Sequence, residues 1–328
     1  MAGCLYFHAP CFDGIVSAVL VLDYLKERQD WREFDLRAVN YHLKSTWLST
    51  ALEQPAAVVD FLYHPSATFW ADHHSTSFLT SEARAHFEAR RGPMLVYDER
   101  ADSCAGLIQR HLQDDLGYTN ARLGELVAWA DKTDAARYDS VEEAVFGDAP
   151  ALRISVSLSV GDDDGYLARL VRALHQDTLE SVARSNEVTH RYALVRSRLE
   201  AGIERLKKGA RLEQDGMAVF DVDASDVNVS RYAPYLLFPH ARYSAGIVRT
   251  RDGAKITVMR NPWVAFESVP LGPICAQLGG GGHHRVGSIA LHGSDAERAP
   301  AVLVQLVSEL RRRENAVSTR IRQVITSR

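Results

Sequence analysis

Short apolar runs alternate with longer helical patterns in the first part of the chain. Runs suited to strands occupy residues 3–8, 34–41, 56–60, 67–71 and 95–97. Helical patterns occupy residues 14–27, a segment beginning near Cys104, and residues 121–130. Strands that alternate with helices predict a mostly parallel sheet with helices on both faces.

The pattern changes in the second part of the chain. Residues 165–208 contain no proline and read as one or two connecting helices. Beyond them, strands are predicted at residues 217–221, 242–249, 255–260 and 286–291, with a final helix from about Ala296. The predicted fold class is therefore α/β: an N-terminal, mostly parallel sheet with flanking helices, joined by helices to a smaller α/β domain.

Composition places the chain among ordinary globular proteins. Of 328 residues, 46% are hydrophobic and 24% are charged. No apolar run approaches the roughly 20 residues that span a bilayer, and the N-terminus lacks the features of a secretory signal. We therefore expect a cytoplasmic protein without membrane contact. The four cysteines form no CxxC pair, so a disulfide framework is not expected.

Charge is distributed unevenly along the chain. Residues 1–208 carry 23 Lys and Arg against 31 Asp and Glu, whereas residues 209–328 carry 15 against 11. An acidic part suits cations and a basic part suits phosphate. The overall net charge of −4 argues against a protein that coats long nucleic acids.

Polar residues stand where the predicted strands end. His8 closes the first strand, Asp60 closes the third, and the triplet Asp72-His73-His74 follows the fourth. Ligands of parallel α/β sheets bind beyond the carboxyl ends of the strands. A single Asp there is usually a helix cap, but carboxylates together with imidazoles suit Mn²⁺, Fe²⁺, Co²⁺ or Zn²⁺. With Asp13 and Asp131 nearby in the pattern, the sequence predicts a divalent-metal site.

Five ordered motifs resemble those of one family over nearly the whole chain. They are HAPCFDG at 8–14, VVD at 58–60, ADHH at 71–74, AWADKTD at 128–134 and GGGGHHRVGS at 279–288. The chain resembles the DHH phosphoesterases that carry a DHHA1 substrate domain, a group that includes nanoRNases, pAp phosphatases and relatives of RecJ. The resemblance implies a DHH catalytic domain at 1–160, a helical linker at 161–208 and a DHHA1 domain at 209–328.

The same resemblance implies a set of metal ligands. Asp60 would bridge two metal ions. Asp13, His73 and Asp131 would hold one ion, and His8 would hold the other.

Two further roles follow from the resemblance. Asp72 is expected at the metal site, where it would orient the ligands. Asp72, His73 and His74 together would form the catalytic triplet. His74 would contact a substrate phosphate. Asp134 is a rival to Asp131, and we prefer Asp131 because it directly follows the predicted helix AWA.

The first motif departs from the family pattern. The family has a histidine followed by two aspartates, whereas here Cys11 stands where the first aspartate is expected. Three interpretations stay open: Cys11 is a soft thiolate ligand, it is no ligand and leaves one metal site weak, or the loop recruits another residue. From sequence we favour the weak or vacant site.

The glycine-rich segment predicts a phosphate-binding loop. Glycine destabilises helices and strands, and a loop rich in it can bring backbone N–H groups close to anionic oxygen. The resemblance assigns substrate phosphate to Arg260 and to residues of this loop, namely Gly280, Gly281, Gly282, His283 and His284. Arginine suits this role because its planar fork binds phosphate oxygens in pairs.

These features predict a metal-dependent phosphoesterase that uses a metal-activated water. We expect one or two Mn²⁺ ions per chain, with Mg²⁺ or Co²⁺ as alternatives, and a short oligonucleotide, dinucleotide or nucleoside bisphosphate as substrate. Two other functions stay open: an exopolyphosphatase or pyrophosphatase, and a catalytically weak nucleotide sensor. A homodimer is also left open.

Overall fold

The computed structural model describes residues 2–29, 31–161 and 165–326, with side chains as far as residue 316. The chain divides into two compact units. Unit 1 comprises Met1–Tyr138 and Gly147–Val195, and unit 2 comprises Asp139–Phe146 and Arg196–Arg328. The three domain ranges expected from sequence stay a prediction, and residues 162–164 of the expected linker lie outside the described residues.

The helices and strands follow the alternation expected from sequence. In chain order they are β1 (Ala2–His8), α1 (Phe12–Arg28), β2 (Glu33–Val39), β3 (Ala56–Val59), β4 (Phe69–Asp72), α2 (Ser81–Ala89), β5 (Leu95–Tyr97), α3 (Cys104–Asp114), α4 (Gly124–Asp134), α5 (Val141–Phe146), α6 (Pro150–Ser157), α7 (Tyr166–Gln176), α8 (Leu179–Ala183) and α9 (Asn186–Gly209). The chain continues with β6 (Ala210–Leu212), β7 (Met217–Asp223), α10 (Ala233–Leu237), β8 (Tyr243–Thr250), β9 (Gly253–Arg260), α11 (Leu271–Gln277), β10 (Gly281–Gly282), β11 (Val286–His292) and α12 (Ala299–Thr326).

Unit 1 contains the predicted parallel sheet. Its strand order is β2-β1-β3-β4-β5, and every neighbouring pair is parallel. Successive residues of β1 enter different apolar clusters: Leu5 and Phe7 belong to one, and Cys4 and Tyr6 to the other. Both faces of the sheet are therefore covered, as parallel sheets require.

Helix α1 is the central helix of unit 1. Its residues from Phe12 to Leu25 are buried, and it packs against α3, α4 and α7. This burial explains why apolar residues fill most of its circumference. Two aspartates, Asp13 and Asp23, are buried on the same helix, and each needs compensating partners.

Unit 2 is built on a mixed six-stranded sheet of order β10-β11-β9-β8-β7-β6. Only the β7–β8 pair is parallel among these strands. Helices α11 and α12 contribute Ile274 and Leu306 to its apolar core. The smaller α/β domain expected from sequence is confirmed.

One predicted helix is longer in the structure than the sequence indicated. The helix predicted at residues 121–130 corresponds to α4, which continues to Asp134. Across the residues that the structure describes, no helix is both long and apolar enough to cross a membrane.

Candidate metal centre

The ends of three neighbouring strands bring the predicted residues together. His8 ends β1, Asp60 directly follows β3, and Asp72 ends β4. Asp60 has a φ of 56°, in the left-handed region that residues other than glycine seldom adopt, while its N–H donates to the carbonyl of Ala71 at 2.9 Å. Strained backbone of this kind is concentrated at functional sites.

Three groups of side chains at this edge have the spacing of metal ligands. In each group the donor atoms lie within 4.8 Å of one another. The groups are His8, Cys11 and Asp60; Asp60, His73 and His74; and Asp13, His73 and Asp134. Asp60 and His73 each belong to two groups, so the three form one continuous cluster.

Asp60 is the central carboxylate of this cluster. Its side chain is 1% exposed. Its Oδ2 lies 3.2 Å from Nδ1 of His8, and its Oδ1 lies 3.7 Å from both Nε2 of His73 and Nδ1 of His74. Among the described residues this buried Oδ1 has no hydrogen-bond partner. Leaving a buried carboxylate oxygen unpaired is costly, and a cation would compensate it.

His73 is oriented by its backbone surroundings. Its Nδ1 lies 3.0 Å from the carbonyl of Ala101, which can only accept, so we assign the proton to Nδ1. Nε2 then faces the carboxylates, 3.3 Å from Asp134 Oδ2 and 3.6 Å from Asp13 Oδ2. A histidine held through one ring nitrogen by a backbone carbonyl is typical of metal sites.

Asp13 is held by the start of α3. The backbone N–H groups of Cys104 and Ala105 donate to its two oxygens at 2.7 and 2.8 Å. Even so, burial, and then the charges of Asp60 and Asp134, raise the pKa of Asp13 well above its usual value. Crowded buried carboxylates repel one another, and a divalent cation would remove the repulsion.

Asp134, rather than the preferred Asp131, lies beside His73. Asp131 Oδ1 instead accepts a hydrogen bond of 2.6 Å from the hydroxyl of Ser103. The reason is the length of α4: the helix continues past residue 130, so its last residue, Asp134, reaches the cluster. Since Ser103 also caps α3, Asp131 supports the helix start that holds Asp13.

Asp72 acts on its neighbours in the triplet. Its Oδ1 accepts from the N–H of His73 at 2.8 Å and from Nδ1 of His74 at 2.7 Å, and its Oδ2 accepts from the hydroxyl of Ser77 at 2.5 Å. Asp72 belongs to none of the three donor groups found among the described residues. These contacts are those of a positioning residue, and the ligand role expected for Asp72 receives no support from them.

His74 carries a positive charge at neutral pH. Burial alone would lower the pKa of His74, but the carboxylate of Asp72, followed by that of Asp60, outweighs burial and raises the pKa to about 10. An imidazolium with 14% of its side chain exposed can donate to an anionic substrate.

The first motif is compact because of a glycine. A side chain at Gly14 would place its Cβ 2.0 Å from the carbonyl oxygen of His8 and 3.2 Å from Asp60 Oδ2. Gly14 therefore lets α1 begin directly against the end of β1. Burial raises the pKa of the Cys11 thiol at this helix start well above its usual value, and the charges of Asp60 and Asp134 add to this effect.

Tyr41 is a site residue that the sequence analysis did not identify. Its ring meets the ring of His8 edge-on at 5.2 Å and that of His74 at 6.4 Å, with 39% of the residue exposed. No motif marks it, and an aromatic residue just after a strand is common. The structure thus places a partly exposed aromatic face at the cluster.

In unit 2, Arg260 is engaged with its own loop. Its guanidinium donates to the carbonyls of Asn261, Val264 and Phe266 at 3.0–3.1 Å, and it stacks over the ring of Phe266. These contacts explain the residue as an anchor of the loop after β9. None of these contacts tests the phosphate-binding role expected for Arg260 from sequence, and that role stays a prediction.

The glycine-rich segment, predicted from sequence as a loop, includes the short strand β10, which pairs with β11. Close backbone contacts require glycine at two of its positions. A Cβ at Gly280 would lie 2.1 Å from the carbonyl oxygen of Ser288, and one at Gly282 would lie 2.3 Å from that of Val286. Gly281 differs, since nothing lies within 4 Å of its ideal Cβ. The side chains of His283 and His284, which follow, are exposed.

No protein-family model matches the sequence, and no curated protein matches it. Several solved structures do match. A pGpG-specific phosphodiesterase, PggH from Vibrio cholerae, is 18% identical, with a TM-score of 0.66 over 94% of this chain and 99% of that one. The DHH domain of a member of a family of ribosomal proteins is 14% identical, with a TM-score of 0.52 over 94% and 86% of the two chains.

The chain has the fold of the DHH proteins. A RecJ in complex with Mn²⁺ from Thermus thermophilus is 13% identical, with a TM-score of 0.56 over 95% of this chain. The match spans 52% of that RecJ, about half its length. The recognition made from the five motifs thus agrees with the DHH fold of the structure.

Proposed function

We propose that this protein is a divalent-metal-dependent phosphoesterase that hydrolyses short oligonucleotides, dinucleotides or nucleoside bisphosphates. The observation that carries the proposal is the buried Oδ1 of Asp60, which accepts no hydrogen bond from the described residues at the point where the donor groups meet. Imidazole nitrogens and carboxylate oxygens in such a cluster suit a divalent transition metal. The phosphodiesterase and the Mn²⁺-bound RecJ with the same fold support this choice.

The donor groups suggest how two ions would be shared. Asp13, His73 and Asp134 would hold one ion, His8 would help to hold the other, and Asp60 would lie between them. Ions in such a centre supply activation of a water molecule and neutralisation of charge on the phosphate. We propose Mn²⁺ as the ion held by Asp13, His73 and Asp134.

The remaining residues would bind and orient the substrate. His74, held by Asp72, would donate a hydrogen bond from its charged ring to a phosphate oxygen. For unit 2 by itself, we propose that the backbone of Gly280–Gly282 and the exposed rings of His283 and His284 bind phosphate. Arg260 would hold the neighbouring loop in place and bind phosphate only at its remaining N–H groups.

A short substrate fits the available observations better than a long one. The chain is acidic overall, whereas tight binding of long nucleic acid relies on many basic contacts. The Vibrio phosphodiesterase, which is specific for pGpG, matches this chain over 99% of its length. We therefore propose linear dinucleotides as the first substrates to examine.

A substrate panel tests the proposal. The purified protein is incubated with pGpG, short RNAs, pAp and inorganic polyphosphate, with Mn²⁺, Mg²⁺, Co²⁺ or EDTA. We expect metal-dependent release of mononucleotides from the dinucleotide, abolished by EDTA and by Asp60→Asn. As a control, Asp23→Asn removes a buried carboxylate outside the cluster.

Three results would contradict the proposal. Activity retained in both Asp60→Asn and Asp72→Ala would show that the proposed metal centre does not take part in hydrolysis. Preference for polyphosphate over every nucleotide would favour an exopolyphosphatase. Calorimetric binding of a dinucleotide in EDTA, without turnover under any metal, would favour a sensor.

A further inference from the structure

Cys11 lies in a donor group with His8 and Asp60. A ligand atom from each of the three lies within 4.8 Å of the others. The other cysteines, Cys4, Cys104 and Cys275, join no such group among the described residues. The thiol therefore occupies the part of the cluster that the sequence suggested would be weak.

The backbone holds Cys11 close to His8. Cys11 precedes the first residue of α1, and its carbonyl accepts from the N–H of Ile15 at 3.2 Å. At the other end of the short connection, the N–H of Ala9 donates to the carbonyl of Val39 at 2.9 Å. A loop anchored at both ends limits how far the thiol can move away, and Gly14 keeps the helix start against β1.

A second observation points to a cation at Asp60, the carboxylate that this group shares with the group of His73 and His74. Asp60 is buried, its Oδ2 is 3.2 Å from Nδ1 of His8, and its Oδ1 accepts no hydrogen bond from any described residue. This Oδ1 lies 3.7 Å from Nε2 of His73 and from Nδ1 of His74, whereas Oδ2 lies on the side of His8. The carboxylate can therefore offer one oxygen to a cation on each side, and Oδ2 is the oxygen available to an ion held with His8 and Cys11.

We propose that Cys11 is a thiolate ligand of the second metal ion and makes this half of the centre selective for Zn²⁺, Co²⁺ or Fe²⁺. Thiolate and imidazole favour these ions, whereas Mn²⁺ and Mg²⁺ prefer oxygen ligands. When the ion binds, an Sγ–metal bond forms and the thiol proton passes to solvent. Three protein ligands leave a coordination position for water or substrate, as in catalytic zinc sites.

The centre is then chemically asymmetric. The group of Asp13, His73 and Asp134 offers two carboxylates and suits Mn²⁺, while the group containing Cys11 takes a softer ion. The inference rests on the proposed function in that both require a metal centre, but it concerns ion selection and not turnover.

Cobalt spectroscopy tests the thiolate directly. Metal-free protein is titrated with Co²⁺, and near-ultraviolet absorption is followed for the thiolate-to-Co²⁺ charge-transfer band. We expect the band in the wild type and its loss in Cys11→Ala and Cys11→Ser, with one bound Co²⁺ lost per chain in equilibrium dialysis. Cys4→Ala, a buried cysteine on β1 outside the cluster, should keep both the band and the stoichiometry.

A third variant tests selectivity in the opposite direction. Cys11→Asp replaces the thiolate with the oxygen ligand that Mn²⁺ prefers, so the ratio of Zn²⁺ to Mn²⁺ affinity at this site should fall by at least about 10-fold. Bound Co²⁺ without a charge-transfer band, or a band unchanged in Cys11→Ala, would overturn the thiolate ligand alone. Absence of any bound ion would overturn both this inference and the metal-dependent function.

Discussion

Two buried aspartates on helix α1 have opposite pKa shifts. Burial and the carboxylates of Asp60 and Asp134 raise the pKa of Asp13 well above its usual value. At Asp23, burial acts in the same direction, but hydrogen bonds from three neighbours outweigh it and lower the pKa to about 2. The donors to Asp23 are His175 at 3.1 Å, Tyr118 at 2.6 Å and Asn120 at 2.8 Å.

The difference separates a structural carboxylate from a functional one. The surroundings of Asp23 supply every contact that its charge needs, so the site is complete without a ligand. Asp13 lies among groups of its own sign, and its two backbone donors do not offset them. Unfavourable electrostatics of this kind are concentrated at functional sites, and the proposed cation would offset them at Asp13.

The largest expected effect comes from neutralising Asp13. Asp13→Asn should lower kcat/KM for a dinucleotide by about 10²-fold or more, because it weakens a metal ligand. It should change the free energy of unfolding of the metal-free protein little, because the removal of a repelling charge opposes the loss of one backbone hydrogen bond that the amide NH₂ of asparagine cannot accept. Steady-state kinetics and urea unfolding in EDTA measure both quantities. A wild-type kcat/KM in Asp13→Asn would contradict a functional role for Asp13 that Asp23 does not share.

A second, smaller effect should separate Asp134 from Asp131. Asp134→Asn should weaken Mn²⁺ binding by about 10- to 100-fold, because the carboxylate beside His73 is lost. Asp131→Asn should weaken it less, since Asp131 acts through Ser103. Mn²⁺ titrations followed by electron paramagnetic resonance provide the comparison. The reverse order would restore Asp131 as the ligand.

The stability of the Asp23 site should depend on pH in a defined direction. Because the pKa of Asp23 is lower in the folded state, its stabilisation is fully present above about pH 4 and is lost as the pH falls through about 2. Asp23→Asn should therefore lower the free energy of unfolding by about 1–2 kcal/mol at pH 6, and the difference should shrink towards pH 2. Urea unfolding across this range measures it. Activity per folded molecule should not change, and a matching loss of activity would contradict the contrast with Asp13.

The smallest effect is expected in the glycine loop of unit 2. Since nothing lies within 4 Å of an ideal Cβ at Gly281, Gly281→Ala should leave the melting temperature unchanged. If the loop backbone approaches the substrate phosphate, KM should rise several-fold with kcat nearly constant. Gly124→Ala, equally open but outside the proposed site, is the matched control. An unaltered KM in Gly281→Ala would leave substrate binding to other residues.

Sequence reasoning predicted most of this architecture because the strands are apolar and the polar residues follow them directly. His8, Asp60 and the triplet were identified from that rule alone. It did not predict the end of α4: polar residues 131–134 resemble a helix end, but the helix continues through them and brings Asp134 to 3.3 Å from His73. The choice between Asp131 and Asp134 as a ligand stays a prediction. The support of Asp13 by N–H groups of α3 was also not predictable, because backbone donors far along the chain leave no pattern.

The contacts that hold Asp13 and His73 have a practical consequence. Both side chains are oriented by backbone groups, the N–H groups of Cys104 and Ala105 and the carbonyl of Ala101, none of which depends on an ion. We therefore expect both side chains to keep their positions when a bound ion is removed, so that rebinding does not require them to be ordered again. Dialysis against a chelator followed by a chosen ion should yield defined metal forms of one folded protein, each suitable for spectroscopy or crystallisation.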